Sequence, residues 1–249
     1  MSRSRLRFVS VLAVVYLVVW SALAIQPYDR TDWLLENLLV VAGVGLLTAT
    51  YRSFPLSRLS YALVFTFLLL HAVGSHYTYA EVPYDDWSRA VFGHSFNDFV
   101  GWQRNNFDRI VHFAYGLLLA FPIREVFLRV AGVRGFWGYF LPLDLTMSSS
   151  MLYELIEWLV ATLFGGELGQ AYLGTQGDVW DAHKDMALAS LGALIAMGIN
   201  VAVSRATRHD FANEWAESLG VKRRTPLGEG WIGSHGSRRC GYCSHMQFQ

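Results

Sequence analysis

Asp108 and His112 stand four residues apart in a run that reads as helix, so their side chains share one face. Glu154 and Glu157 are three apart and also share a face. Asp178, Asp181 and Asp185 make a stripe of the same kind if their helix begins that early. Imidazole titrates near neutral pH, and a neighbouring carboxylate can hold it in orientation, so His112 beside Asp108 is a candidate general base. Gathered carboxylates repel one another unless some are protonated or a cation sits among them. Asp and Glu oxygens suit Mg²⁺, Ca²⁺ or Mn²⁺, and an added His also admits Zn²⁺. The candidate catalytic residues are therefore His112, Asp108 and Glu157, and the candidate ligands of a divalent cation are Glu154, Glu157, Asp178, Asp181 and Asp185. Plainer readings stand beside these. The three Asp could cap and flank a helix on its wet side, with Asp178 as N-cap. His112 could be a buried structural histidine bonded to Asp108. Glu154 and Glu157 lie inside an otherwise apolar run, where ionised groups are costly and mark function or assembly. Glu36 and His71 carry a weaker signal of the same sort. The chain shows no Ser or Cys nucleophile constellation and no nucleotide-binding loop.

The elements that must position these residues read as membrane helices. Of 249 residues, 53% are hydrophobic and 16% charged, and mean hydropathy is +0.28. Soluble domains carry about a quarter charged residues. Formal net charge is zero, which gives no sign of nucleic acid as a partner. A span needs roughly 20 mostly apolar residues. Six candidates fall at about 8–25, 33–50, 59–77, 108–130, 136–164 and 185–204. The expected fold is thus an all-α polytopic bundle of six transmembrane helices. Arg3, Arg5 and Arg7 before the first run resemble a signal-peptide start, but the apolar stretch is long for an h-region of roughly 7–15 residues, so it reads as an uncleaved span. The fifth candidate is interrupted by Pro142 and Asp144, and Asp144 could pair with Arg124 at the inner side.

Lys and Arg concentrate in the N-terminal tail, in 51–58, in 124–134 and after 204, which puts both termini in the cytoplasm. The opposite connections hold most of the acids. One of them, 78–107, is too aromatic for a free linker and should pack over the outer mouth or lie among lipid headgroups. Residues 206–249 read as a polar, disordered cytoplasmic tail. Its Cys240 and Cys243, with His235 and His245, could form a small zinc site but more plainly do nothing. At the 1.5 Å helical rise per residue, Glu36, His71, His112, Glu154, Glu157 and the Asp stripe come to one depth near the extracytoplasmic end. Five helices converging on one depth is the strongest functional signal in the chain.

Four stretches resemble the YjdF family of bacterial inner-membrane proteins. They are Phe107-Asp108-Arg109-Ile110-Val111-His112, Pro122-Ile123-Arg124-Glu125, Tyr153-Glu154-Leu155-Ile156-Glu157-Trp158 and a block from Tyr172 through Gly174-Thr175-Gln176-Gly177-Asp178-Val179-Trp180-Asp181 to Lys184-Asp185-Met186. The resemblance covers about residues 10–205 and implies a multi-pass protein of the inner membrane. More loosely, a His, a Glu and paired Asp on successive helices are similar to VanZ-like membrane proteins. Neither resemblance implies a reaction. The residues themselves suggest a divalent-cation-dependent enzyme acting on a lipid or lipid-linked substrate near the outer leaflet, with membrane lipids as its surroundings. A non-catalytic assembly factor is the near alternative. A transporter of ions or small solutes is third, because polar groups are scarce in the inner half.

Overall fold

The computed structural model describes residues 3–166, 175–208 and 210–222, and among them it is helical with no strand. The helices are α1 (Arg3–Leu23), α2 (Arg30–Thr50), α3 (Arg58–His76), α4 (Tyr84–Phe92), α5 (Phe96–Val100), α6 (Phe107–Val130), α7 (Trp137–Phe164), α8 (Asp181–Thr207) and α9 (Phe211–Leu219). Five of them, α1, α2, α3, α6 and α8, are long and apolar enough to cross a membrane. The 28-residue α7 has its apolar run interrupted by Asp144, Glu154 and Glu157, which sets it apart from those five.

Local chemistry fixes several helix ends. The Asp29 carboxylate accepts the Thr31 and Asp32 amides at the start of α2, and the Ser57 hydroxyl accepts the Ser60 amide at the start of α3. Each satisfies backbone donors that a helix N-terminus leaves unpaired. Asp178 does not cap α8. That helix begins at Asp181, and Asp178 lies before it with its carboxylate turned back on the Trp180 amide at 3.0 Å. Asp178 is therefore not on the stripe that Asp181 and Asp185 share.

The central seam joins α6 to α8. Gly116 on α6 lies against the backbone of Ala189, and Gly192 on α8 lies against the backbone of Phe113. Ala120, Ala189 and Ala193 are fully buried beside them. Small residues let two helices approach closely in lipid, where no hydrophobic effect drives helices together. α7 packs on both α6 and α8, and α3 packs on α6 and α1. Trp20 of α1 donates to Asn37 of α2 at 2.6 Å.

The aromatic 78–107 segment is built rather than loose. Val82 is buried against Phe107 and Val111 at the start of α6. The Tyr84 hydroxyl donates to Asn97 at 2.6 Å and accepts the Asn106 amide at 3.1 Å. Asp85 accepts the Asn97 amide and the Ser95 hydroxyl, each at 2.8 Å, and pairs with Arg89 at 2.9 Å. The Asn97 N–H, helped by Ser95 and Arg89, holds the Asp85 carboxyl below its ordinary range. A depressed carboxylate contributes stability that is present above its unfolded value, about 3.9, and lost as pH falls through the folded one. Amide hydrogen exchange in 84–100 is thus expected to be flat from pH 7 to 5, after correction for intrinsic rates, and to accelerate only below about pH 4. Asp85→Ala should show the fast exchange at every pH.

At the other end, α9 docks on the start of α7. The Phe136 amide donates to the Ser218 hydroxyl at 2.9 Å, the Trp137 indole donates to the Ser218 carbonyl at 2.9 Å, and Trp215 packs on Tyr139. The expected disorder after 205 thus does not extend to 211–219. Residues 223–249, with Cys240, Cys243 and their neighbouring histidines, lie outside the described residues. Arg124 does not pair with Asp144. It is buried, with its guanidinium 4.4 Å from the centre of the Tyr139 ring, a cation–π contact that suits a cation held in an apolar setting.

Candidate functional site

The seam between α6 and α8 sets the site. Asp108, His112 and Gly116 follow one another at four-residue intervals on α6, and Asp181, Asp185, Ala189 and Gly192 form the facing stripe on α8. The close approach at the glycines carries the polar residues one and two turns away into contact range. α7 adds Glu154 and Glu157 from the side.

His112 Nε2 lies 3.4 Å from Glu154 Oε1. One ligand atom each of His112, Glu154 and Asp185 lies within 4.8 Å of the others, and so do atoms of Asp108, Asp181 and Asp185. Glu154 Oε1 and Asp185 Oδ1 are buried and have no hydrogen-bond partner. The carboxyls of Glu154 and Glu157 are close neighbours on α7. No hydrogen bond joins His112 to Asp108. The Asp108 carboxylate turns instead to the Arg109 amide at 2.7 Å. The shared helix face is present, but the partner of His112 comes from another helix.

Two arginines claim Asp178 and Asp181. Arg109 contacts Asp178 at 2.6 Å and Asp181 at 3.0 Å, Arg104 also bonds Asp181, and Lys184 reaches Asp178 at 2.5 Å. Lys184, the Trp180 N–H and Arg109 hold the Asp178 carboxyl well below the usual carboxylate range. Asp178 is an ion-pair residue in this arrangement and stands outside both groups of potential ligands. Asp181 belongs to one of those groups, yet its carboxylate is already engaged by two guanidinium groups.

Beneath the cluster runs a cavity of about 560 Å³, between α2, α3, α6 and α7. Asp32, Glu36, His71, Asp108, His112, Glu157 and Asp185 line one end of it, and the remainder is mostly apolar. Three tyrosines that spacing alone did not single out shape this space. Tyr153 donates to Glu36 at 3.0 Å, tying α7 to α2. Tyr115 meets Ser149 at 2.6 Å, tying α6 to α7. The Tyr79 hydroxyl lies 2.5 Å from His71 Nδ1. Thr78 and Tyr79 both adopt left-handed backbone, at φ 54° and 55°, which folds Tyr79 back over α3. Its ring then occupies the space above Gly74, where any Cβ would collide. Such backbone is costly for a β-branched residue and collects at sites that use it. The one signal in the sequence was the tyrosine content of these stretches, which does not say where a hydroxyl points.

Comparison with known proteins agrees with this architecture. The family described as "Predicted membrane protein (DUF2238)" matches residues 8–206. The Inner membrane protein YjdF of Escherichia coli (strain K12) is 38% identical over 186 residues, which is 74% of this chain and 84% of that protein. The chain belongs to this family. The match to DUF2238 takes in every residue of the cavity and of the acid and histidine cluster, and it stops before α9. No solved structure matches the chain.

Proposed function

We propose that this member of the DUF2238 family is a membrane-embedded, divalent-cation-dependent enzyme acting on a lipid or lipid-linked substrate. The reading includes a six-span topology, with α7 as the sixth span and both termini in the cytoplasm of an inner-membrane protein. Arg3, Arg5, Arg7, Arg52, Arg129, Arg134, Arg205 and Arg208 fall at the helix ends away from the acid and histidine cluster. Arg89, Arg104, Arg109 and Lys184, at the end near that cluster, are tied up in ion pairs with aspartates. That asymmetry supports the orientation.

The observation that carries the reading is the trio His112, Glu154 and Asp185, with two buried carboxylate oxygens that accept no hydrogen bond at the head of the cavity. Buried charges are paired or coordinate a metal. An imidazole with two carboxylates suits Zn²⁺ or Mn²⁺ better than Ca²⁺ or Mg²⁺. A cation held there would polarise an oxygen of the substrate. His112 is then a ligand rather than the base that its spacing from Asp108 suggests. Glu157, beside Glu154 and lining the cavity, would take up and return a proton. The apolar inner part of the cavity speaks against a carrier, which needs polar groups along a full path.

Titration calorimetry on the purified chain tests the metal. Zn²⁺ or Mn²⁺ should bind, and Asp185→Asn or Glu154→Gln should weaken binding by about 100-fold or more, beyond what loss of an outer-shell partner does. No affinity in the unaltered protein, or none lost in either variant, would sink the proposal. For catalysis, Glu157→Gln should keep the metal while abolishing product formation from inner-membrane lipid extract, followed by mass spectrometry. If the unaltered, metal-loaded protein forms no product, the trio holds a structural cation and the non-catalytic reading stands.

A further inference from the structure

The cavity has the depth of one bilayer leaflet. Glu36, Val40, Gly43, Val44 and Leu47 face it from α2 at offsets of 4, 7, 8 and 11, which keeps one helix face turned inward over its whole length. Eleven residues of helix rise about 16 Å, half of a hydrocarbon core of about 30 Å. The acids and histidines sit at one end and no Lys or Arg lines any part of it. It opens sideways, because Leu39, Leu46 and Leu152 line it and are nevertheless 53%, 65% and 56% exposed. Leu39 and Leu46 belong to α2 and Leu152 to α7, so the opening lies between those helices, below the Tyr153–Glu36 hydrogen bond. Its volume falls within the roughly 300–1,000 Å³ of small-molecule sites.

We infer that this slot takes one hydrocarbon chain of a membrane lipid, entering between α2 and α7, and that the lipid head is uncharged and bears a hydroxyl. The inference names the substrate class for the site proposed above and rests on that reading for where the head lies. Beside the cation's own ligands, an anionic phosphate head would still meet Asp32, Glu36, Asp108 and Glu157 without a lining Lys or Arg to neutralise it. A hydroxyl donates to those carboxylates and accepts from histidine. A lipid with further chains leaves them in the bilayer through the open side.

The test uses the full chain reconstituted in phosphatidylcholine vesicles doped with a diacylglycerol carrying a diazirine near its tail. After irradiation, labelled residues are mapped by mass spectrometry. Labelling is expected at Val44, Leu68 and Leu119 inside the slot. Gly43→Phe should cut it about tenfold, the scale of overfilling a packed space. No atom lies within 4 Å of a Cβ built at Gly43, so the fold has room for the change. Labelling at outward-facing Leu38 and Val41 should not change, and Gly43→Ala should behave as the unaltered protein. Equal slot labelling in Gly43→Phe, labelling confined to Leu38 and Val41, or stronger labelling by the matching phosphatidic acid probe would overturn the inference. Asp185→Asn separates the two proposals, since it should lose the cation and keep slot labelling. Metal binding that survives in Gly43→Phe shows that the cation site stands whether or not the slot does.

Discussion

Gly116→Ala is expected to destabilise this protein by about 3 kcal/mol or more, the upper end for overpacking a core. A methyl at Gly116 would overlap the Ala189 carbonyl oxygen and stand 2.7 Å from the Ala193 nitrogen. Both obstacles are backbone of a long helix, so no side chain can rotate aside, and α6 and α8 must separate. Gly192→Ala should cost a similar amount, because its methyl meets the Phe113 carbonyl and lies 2.7 Å from the Leu117 nitrogen. Gly45 and Gly198 supply the contrast. Both sit in helices with nothing near a built Cβ. Alanine there should stabilise the protein by about 0.5–1 kcal/mol, the ordinary gain for removing glycine from a helix interior. Thermal unfolding in detergent, followed by tryptophan fluorescence, would measure all four. The idea fails if Gly116→Ala and Gly192→Ala unfold at the temperature of Gly198→Ala.

The same contact matters for the site. Asp185 lies seven residues before Gly192, and His112 lies four before Gly116, on the faces that meet at the seam. Separating the helices there would also part Asp185 from His112 and Glu154. Gly116→Ala, assayed below its unfolding temperature, should therefore weaken cation binding without touching a ligand.

Hydropathy made the long helices legible to within a few residues, because a run of apolar side chains about 20 long has few other uses. The α2 and α3 starts were also legible in principle, since Asp29 and Ser57 are good N-caps. Depth was legible too, since helical rise alone brings Glu36, His71, His112 and Glu154 to one level. Partnership was not. Periodicity puts Asp108 and His112 on one face, but it cannot say that the face is met by Glu154 from α7. Nor can it say that Asp178, at the right spacing for a stripe, falls before the first turn of α8 and is taken by Arg109 and Lys184. Counting acids in the connecting segments overlooked the cations that fold back onto them. The cavity itself depends on how far α2 stands from α7, and the chain carries no local signal for a distance between helices.

Those cations lead to the second large effect. Arg109→Met is expected to cost about 2–3 kcal/mol, somewhat under the usual loss when a buried ion pair loses one partner. The reduction reflects Arg104, which continues to hold Asp181. Asp181 is 4% exposed, so its charge has little water to turn to once a guanidinium is gone. If the loss comes from that stranded charge, removing the charge as well should restore part of it. The double variant Arg109→Met/Asp181→Asn should then be more stable than the sum of the single changes by about 1 kcal/mol or more. The pH response supplies an independent check at Asp178. Its carboxyl is held low by Lys184, the Trp180 amide and Arg109, so its share of stability is complete above the unfolded value near 3.9 and fades as pH falls through the folded one. In the unaltered protein, amide exchange at 178–185 should stay slow down to about pH 4. Arg109→Met removes one of the groups that depress this carboxyl, so the folded value rises and the acid-dependent loss, which still begins near the unfolded value, should shrink. An acid-dependent loss of unchanged size, together with additive stabilities in the double variant, would mean that Arg109 contributes packing through its stem and not charge.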